Sequence, residues 1–258
     1  MNEWNRVGAG LIAAGQTNFW KECMGNAELI ARMLSDDPGY AARLVHFAER
    51  GCYPISTAPD EAERIMRDSY IGPNQWWLHD LSTRGQAFPW VPYSIEELEA
   101  ARDTHILVCV PPVSIADLYS PDQSRFNKAR LKPSHDNALY ESKKSFATHR
   151  GVTQWRLIRT TPLKESLGLR YKDQCSLLGP RQVVVDARSL LFVMLAAHRV
   201  RKQLLFDDCL VRCAERDAPY HHIVTGNFSG THTTIRSQHD NAENKRIGVA
   251  VGIAPQTL

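Results

Sequence analysis

Residues 207–251 read DDCLVRCAERDAPYHHIVTGNFSGTHTTIRSQHDNAENKRIGVAV. Two apolar-rich runs, Asp207–Ala214 and His221–Phe228, predict strands, and Thr233–Ser237 and Arg246–Val251 predict weaker ones. The stretch 225–244 inside this run holds only two large apolar side chains, Phe228 and Ile235; the rest are small polar residues, His and charged groups. It lies between apolar strands, so it cannot be a disordered tail. A polar ribbon held by a packed scaffold is a common site of binding.

Upstream, Gln154–Arg159 reads as a short strand and Tyr171–Leu178 as a helix. The long apolar segment Val183–Leu205 reads as a second helix, with Asp186, Arg188, His198, Arg199, Arg201 and Lys202 on its polar side. The order is strand, helix, helix, then three or four strands. The segment from Ser120 to Gly151 differs, carrying Arg125, Lys128, Arg130, Lys132, Lys143, Lys144 and Arg150 against Asp122, Asp136 and Glu141, with few aliphatics. It reads as a basic connecting segment. In the first part, residues 3–23 and 26–50 predict helices, the second broken at Asp37-Pro38-Gly39. A short helix over Asp60–Asp68 is expected, capped by Ser56 or Thr57, and another over Ile95–Arg102, with Ser94 and Glu97 in capping-box spacing. Thr104–Val110 is a continuous apolar run and so a strand buried on both faces; Ser114–Leu118 predicts a turn of helix. The fold class is α+β, with a mainly helical region 1–120 containing one buried strand, a basic connection 121–150 and a strand-rich domain 151–258.

Composition narrows the function classes. Hydrophobic residues make up 43% and charged residues 23%, the balance of a globular protein with a real core. No apolar run approaches the roughly 20 residues that span a bilayer, so no membrane insertion is expected. The net charge of +3 is too small for a dedicated nucleic-acid coat. The start, MNEWNRVGAGLIAAG, lacks the basic opening and long apolar core of a signal peptide, which points to a cytoplasmic protein. The six cysteines have no CxxC spacing and read as reduced, mostly buried thiols. A zinc site from Cys209, Cys213, His221 and His222 is a weaker reading, because adjacent histidines on a strand point to opposite faces.

The motifs that cradle nucleotide phosphates, GxxxxGK[ST] and GxGxxG, are absent, as are GxSxG and HExxH. His232, His239 and Asp240 are the residue types from which a general acid–base pair or a metal site is built. Their neighbours are nearly all small and polar, and no apolar frame surrounds them that would shift a pKa. No catalytic residue, metal or cofactor is assigned.

One pattern extends further. Trp155-Arg156-Leu157-Ile158-Arg159-Thr160-Thr161-Pro162-Leu163, Ser166, Gln174, Leu177-Leu178, the apolar segment to Leu205-Phe206, Leu210-Val211-Arg212-Cys213, Gly226-Asn227-Phe228 and Ile247-Gly248-Val249-Ala250 follow in turn. With Asp103–Val108 and the Pro-rich stretch after it, this succession resembles the variable proteins of diversity-generating retroelements, over residues 70–251. The resemblance implies a C-type-lectin-like (formylglycine-generating-enzyme-like) C-terminal domain. It also implies a set of positions diversified through mutated Asn codons, which fill with residues such as Asn, Ser, Thr, His and Asp. Asn227, Ser229, His232, Thr234, Ser237, His239, Asp240, Asn241 and Asn244 would then be exposed ligand-contacting positions, and the partner a protein or a surface ligand. The helical N-terminal region would serve attachment or oligomerisation. The chain departs from the family in having His232-Thr233 where a Gly-Leu pair is common and Val251-Gly252-Ile253 where a Ser-Ala-Arg-Lys-like tail is common. Phe228 is the sole aromatic of the polar stretch, and Gln238, Glu243 and Lys245 are not expected products of mutated Asn codons. Two other readings stand beside this one. The first is a nucleic-acid-associated accessory protein using the basic segment 125–150 with Arg199, Arg201 and Lys202. The second is a metal-dependent hydrolase using the C-terminal histidines.

Overall fold

The computed structural model describes residues 56–77, 90–119, 132–133, 145–230 and 232–255. The helices expected over 3–23 and 26–50, and most of the basic segment 121–150, lie outside the described residues. The fold is mixed α and β, with two five-stranded sheets and a long helix between them.

The apolar run after Thr104 forms strand β2 (His105–Val110), and all six of its residues are buried. The period of two divides it: Ile106, Val108 and Val110 join one apolar cluster, Leu107 and Cys109 another. Its neighbours are β1 (Tyr70–Ile71), parallel to it, and β4 (Gln154–Arg159), antiparallel with Ile106 opposite Ile158 and Val108 opposite Arg156. The sheet continues through β10 (Val251–Ile253) to β5 (Gln182–Val184). On the Leu107 side it carries α1 (Pro59–Met66) and α3 (Ile95–Ala101), which bury Ala62, Ile65, Met66 and Leu98 with Trp155 and Leu157. Helix α3 has the expected capping box: Ser94 Oγ accepts from the Glu97 amide, and Glu97 returns a carboxylate to the Ser94 amide. Helix α1 is not capped by Ser56 or Thr57. Its N-cap is Ala58 with Pro59 at the first position, because Thr57 spends its hydroxyl on the Tyr93 carbonyl and its backbone on Val91.

The other face of this sheet meets α7 (Ala187–Arg201), in which every residue from Ala187 to Ala197 is buried. A helix apolar on all sides belongs between layers, and its far side packs on the second sheet, ordered β3 (Lys132–Pro133), β8 (His232–His239), β7 (His221–Gly226), β6 (Leu210–Ala218), β9 (Ile247–Val249). The segment Val183–Leu205 is therefore not one helix. The β-branched Val183 and Val184 sit in β5, and Asp186 caps α7 by accepting from the Ser189 amide at 2.8 Å. Arg188, expected on a polar side, is 5% exposed. The other short helices are α2 (Pro73–Trp77), α4 (Ile115–Tyr119), α5 (Ser145–Thr148) and α6 (Tyr171–Ser176).

The strand expected over Arg246–Val251 is two strands in different sheets. At the corner, the Ala250 amide donates to the Arg212 carbonyl in the second sheet, and the Ala250 carbonyl accepts from the Val185 amide beside the first. The first sheet draws β1 and β2 from the region before residue 120 and β4, β5 and β10 from the region after 150. Among the described residues no helix is long and apolar enough to cross a membrane.

Candidate functional site

The polar stretch is the end of β7, the strand β8 and the turns at both ends of β8. Along β8, Thr233 and Ile235 are buried while His232 is exposed. Two buried hydroxyls lock the pair: Thr225 Oγ1 donates to the Thr234 carbonyl and Thr233 Oγ1 to the Gly226 carbonyl, each at 2.9 Å. Gly226, at φ +142°, is required, since a Cβ there would overlap the Cys209 carbonyl oxygen.

The nine expected contact residues separate into two groups. Asn227, Ser229 and His232 are exposed at one end of β8; His239, Asn241 and Asn244 are exposed at the other. An eight-residue strand spans about 23 Å, so the two groups are separate patches. Thr234 is half-buried between them. Two positions are not presented to a ligand. Ser237 shares the inward face of β8 with Ile235 and its Oγ is buried. Asp240 is bonded to a buried histidine. His239 and Asn244 are exposed but serve the turn itself: His239 Nδ1 accepts from the Asn241 amide and Asn244 Oδ1 from the Arg246 amide.

Beneath the second patch lies a buried polar network. Arg212, on β6, is fully buried. Its Nη1 donates to the Gln174 side-chain oxygen at 2.8 Å and the Leu169 carbonyl at 2.9 Å; its Nη2 donates to the Ala242 carbonyl at 2.7 Å. Gln174 donates onward to the carbonyls of Ser166 and Ile247. Burial draws the Arg212 pKa below its ordinary value, and the nearby Asp240 opposes this. On β7, His222 is buried and stacked on Tyr171, with ring centroids 3.6 Å apart. Arg216 Nε donates to His222 Nε2 at 3.2 Å, so Nδ1 carries the proton and donates to Asp240 Oδ1 at 2.6 Å. Its neighbour His221 lies half-exposed on the opposite face, edge-on to His239. Both nitrogens of His222 are engaged, so the Asp240–His222 pair has no base to offer a substrate. Among the described residues no three His, Cys, Asp or Glu side chains converge to hold a metal ion. Cys209, Cys213, His221 and His222 therefore form no ligand set.

Sequence reasoning missed a cleft of about 760 Å³ where β4, β6 and the start of α7 meet. The alternation of β4 turns Gln154 and Arg156 toward α7. Arg156 Nη2 donates to Asp186 at 3.0 Å, and the Gln154 amide oxygen, facing the guanidinium groups, accepts from Arg156 at 3.0 Å and Arg188 at 2.8 Å. Arg188 is further tied to the Arg150 carbonyl at 3.1 Å. Glu215 accepts from the Ala187 amide at 2.7 Å. Burial, reinforced by the charge of Asp186, pushes the Glu215 carboxyl up to about 7 against the pull of that amide and of Arg188. The available signal was the placing of Gln154 and Arg156 two apart on a strand, opposite an Asp–x–Arg helix start.

No protein-family model, curated protein or solved structure matches the chain.

Two predictions test this geometry. Arg212→Met leaves its acceptors without a donor and is expected to cost about 3 kcal/mol in denaturant unfolding; Arg212→Lys is not expected to restore it, because an ammonium cannot span the same fork. Glu215 has a folded pKa above its unfolded value, so its contribution is fully present at low pH and is lost as pH rises toward and through about 7. Glu215→Gln removes that loss. Its melting temperature relative to the parent is expected to rise between pH 5 and pH 8; an unchanged difference would contradict the assignment.

Proposed function

We propose that this is a non-catalytic ligand-binding protein that displays a polar, diversified surface from residues 227–244 on a C-type-lectin-like scaffold. The scaffold reading is supported by the antiparallel pairing of β4 with β10, which brings the two ends of the C-terminal region together, with Ile158 opposite Gly252. Two helices, α6 and α7, and the antiparallel run β6–β7–β8 lie between those strands.

The observation that carries the functional reading is the division of labour across the β7–β8 ribbon. Its backbone is held from the buried side by Arg212, Thr225, Thr233 and Gly226, while Asn227, Ser229, His232 and Asn241 stand exposed. Side chains at Ser229, His232 and Asn241 can change without touching the core, Asn227 at φ +48° is confined to residues such as Asn, Asp and Gly, and small polar groups with His offer adaptable hydrogen bonding. A surface with so little aromatic area binds modestly in one copy and gains from several copies acting together. The partner is a protein or surface ligand. The hydrolase alternative, built on His232, His239 and Asp240, is not favoured, because His232 and His239 stand at opposite ends of β8 and Asp240 is bonded to the buried His222. The basic segment on which the nucleic-acid alternative rests lies mostly outside the described residues.

Long-read sequencing of this locus across a population of source cells tests the proposal. Scatter is expected at the codons for Asn227, Ser229, His232 and Asn241, with those for Gln174, Arg212, His222 and Asp240 constant. An invariant C-terminal region would remove the diversification claim, and scatter at Arg212 would remove the scaffold argument.

A further inference from the structure

We propose that the cleft between β4, β6 and the start of α7 binds a small organic oxyanion, a carboxylate or phosphate on an apolar body, held by Arg156 with the exposed Arg216 at the rim. The site lies apart from the ribbon surface proposed above and is connected to it by the Asp240–His222–Arg216 hydrogen bonds.

The cleft is of the size that accepts a small molecule, for which about 300–1,000 Å³ is usual. Its charge favours an anion: the lining holds three arginines, Arg156, Arg188 and Arg216, against two carboxyls, Asp186 and Glu215. Glu215 is half-protonated near neutral pH, so the balance there is positive. The start of α7 is not what holds the ligand. Its amides are already served, Ser189 by Asp186 and Ala187 by Glu215. Arg188 is engaged by the carbonyls of Arg150 and Pro111, the Gln154 amide and the Asp186 carboxylate, and acts as structure.

The other two arginines differ. Arg156 spends Nη2 on Asp186 and Gln154, and its Nε and Nη1 have no protein partner among the described residues. Arg216 spends Nε on His222, and its two terminal nitrogens are likewise without a protein partner there. The chain Asp240–His222–Arg216 ties the Nε of that guanidinium to the second sheet, at the edge of the cleft. Phe146 and Val152, the latter 70% exposed, add an apolar wall. Guanidinium donors beside an apolar wall fit an oxyanion carried on a hydrocarbon body.

The test is calorimetric titration of the full chain with phenyl phosphate, benzoate, inorganic phosphate and, as a cation of the same body, benzylamine. Saturable 1:1 binding of phenyl phosphate or benzoate is expected, and the tighter of the two identifies the oxyanion. Arg216→Gln is expected to weaken that binding about tenfold or more. Phe146→Ala is expected to weaken the phenyl ligands while leaving inorganic phosphate unchanged, which keeps the proposal testable if the arginine variant does not fold. Absence of saturable binding by both phenyl anions, binding indifferent to Arg216→Gln in a folded variant, or a preference for benzylamine would overturn it.

Discussion

A single guanidinium, that of Arg212, holds together the half of the molecule that carries the polar surface. It is a charge taken wholly out of water, which is costly unless nearly every donor is met. Here the two terminal nitrogens, though not the buried Nε, are met by acceptors from distant parts of the chain: Gln174 on α6, the Leu169 carbonyl before it and the Ala242 carbonyl in the turn after β8. Those partners converge only when β6, α6 and the turn are all in place. The turn at residues 240–244 is thus defined by a group beneath it rather than by its own exposed side chains.

The same logic operates at the first sheet. Strand β2 is buried on both faces because α1 and α3 cover one side and α7 the other. Helix α7 is apolar nearly all round because it separates two sheets. Its N-terminus lines the cleft with β4 and β6. The Asp240–His222–Arg216 chain runs from the turn after β8 to the cleft wall. The polar ribbon and the cleft are therefore joined by two hydrogen bonds through one histidine.

Much of the framework was legible from local signals. The apolar run after Thr104, the Ser94–Glu97 spacing and the strand Gln154–Arg159 each carry their own physics and reappear as read. The segment Val183–Leu205 was misread because apolar content does not separate a short buried strand from the start of a buried helix; Asp186, a capping residue inside the run, was the discriminating feature. Ser237 and Asp240 were grouped with the exposed positions because composition is blind to side-chain direction. The alternation of β8 turns Ser237 inward, and Asp240 finds a buried partner 18 residues away. The arginine-lined cleft was invisible for the same reason: Arg156, Arg188 and Arg216 are far apart in sequence, and only the register of β4 and the bulged end of β6 bring them to one place.

The central claim is that the scaffold beneath residues 227–244 is independent of the side chains displayed there. Native-state hydrogen exchange tests it directly, comparing the parent with a variant carrying Asn227→Asp, Ser229→Tyr, His232→Asn and Asn241→Ser together. The account predicts unchanged protection of the β7 and β8 amides and of the Tyr171 amide, which donates to the Asp240 carbonyl. A general loss of protection across β7 and β8 in that variant would contradict it, since the exposed residues would then be part of what holds the fold.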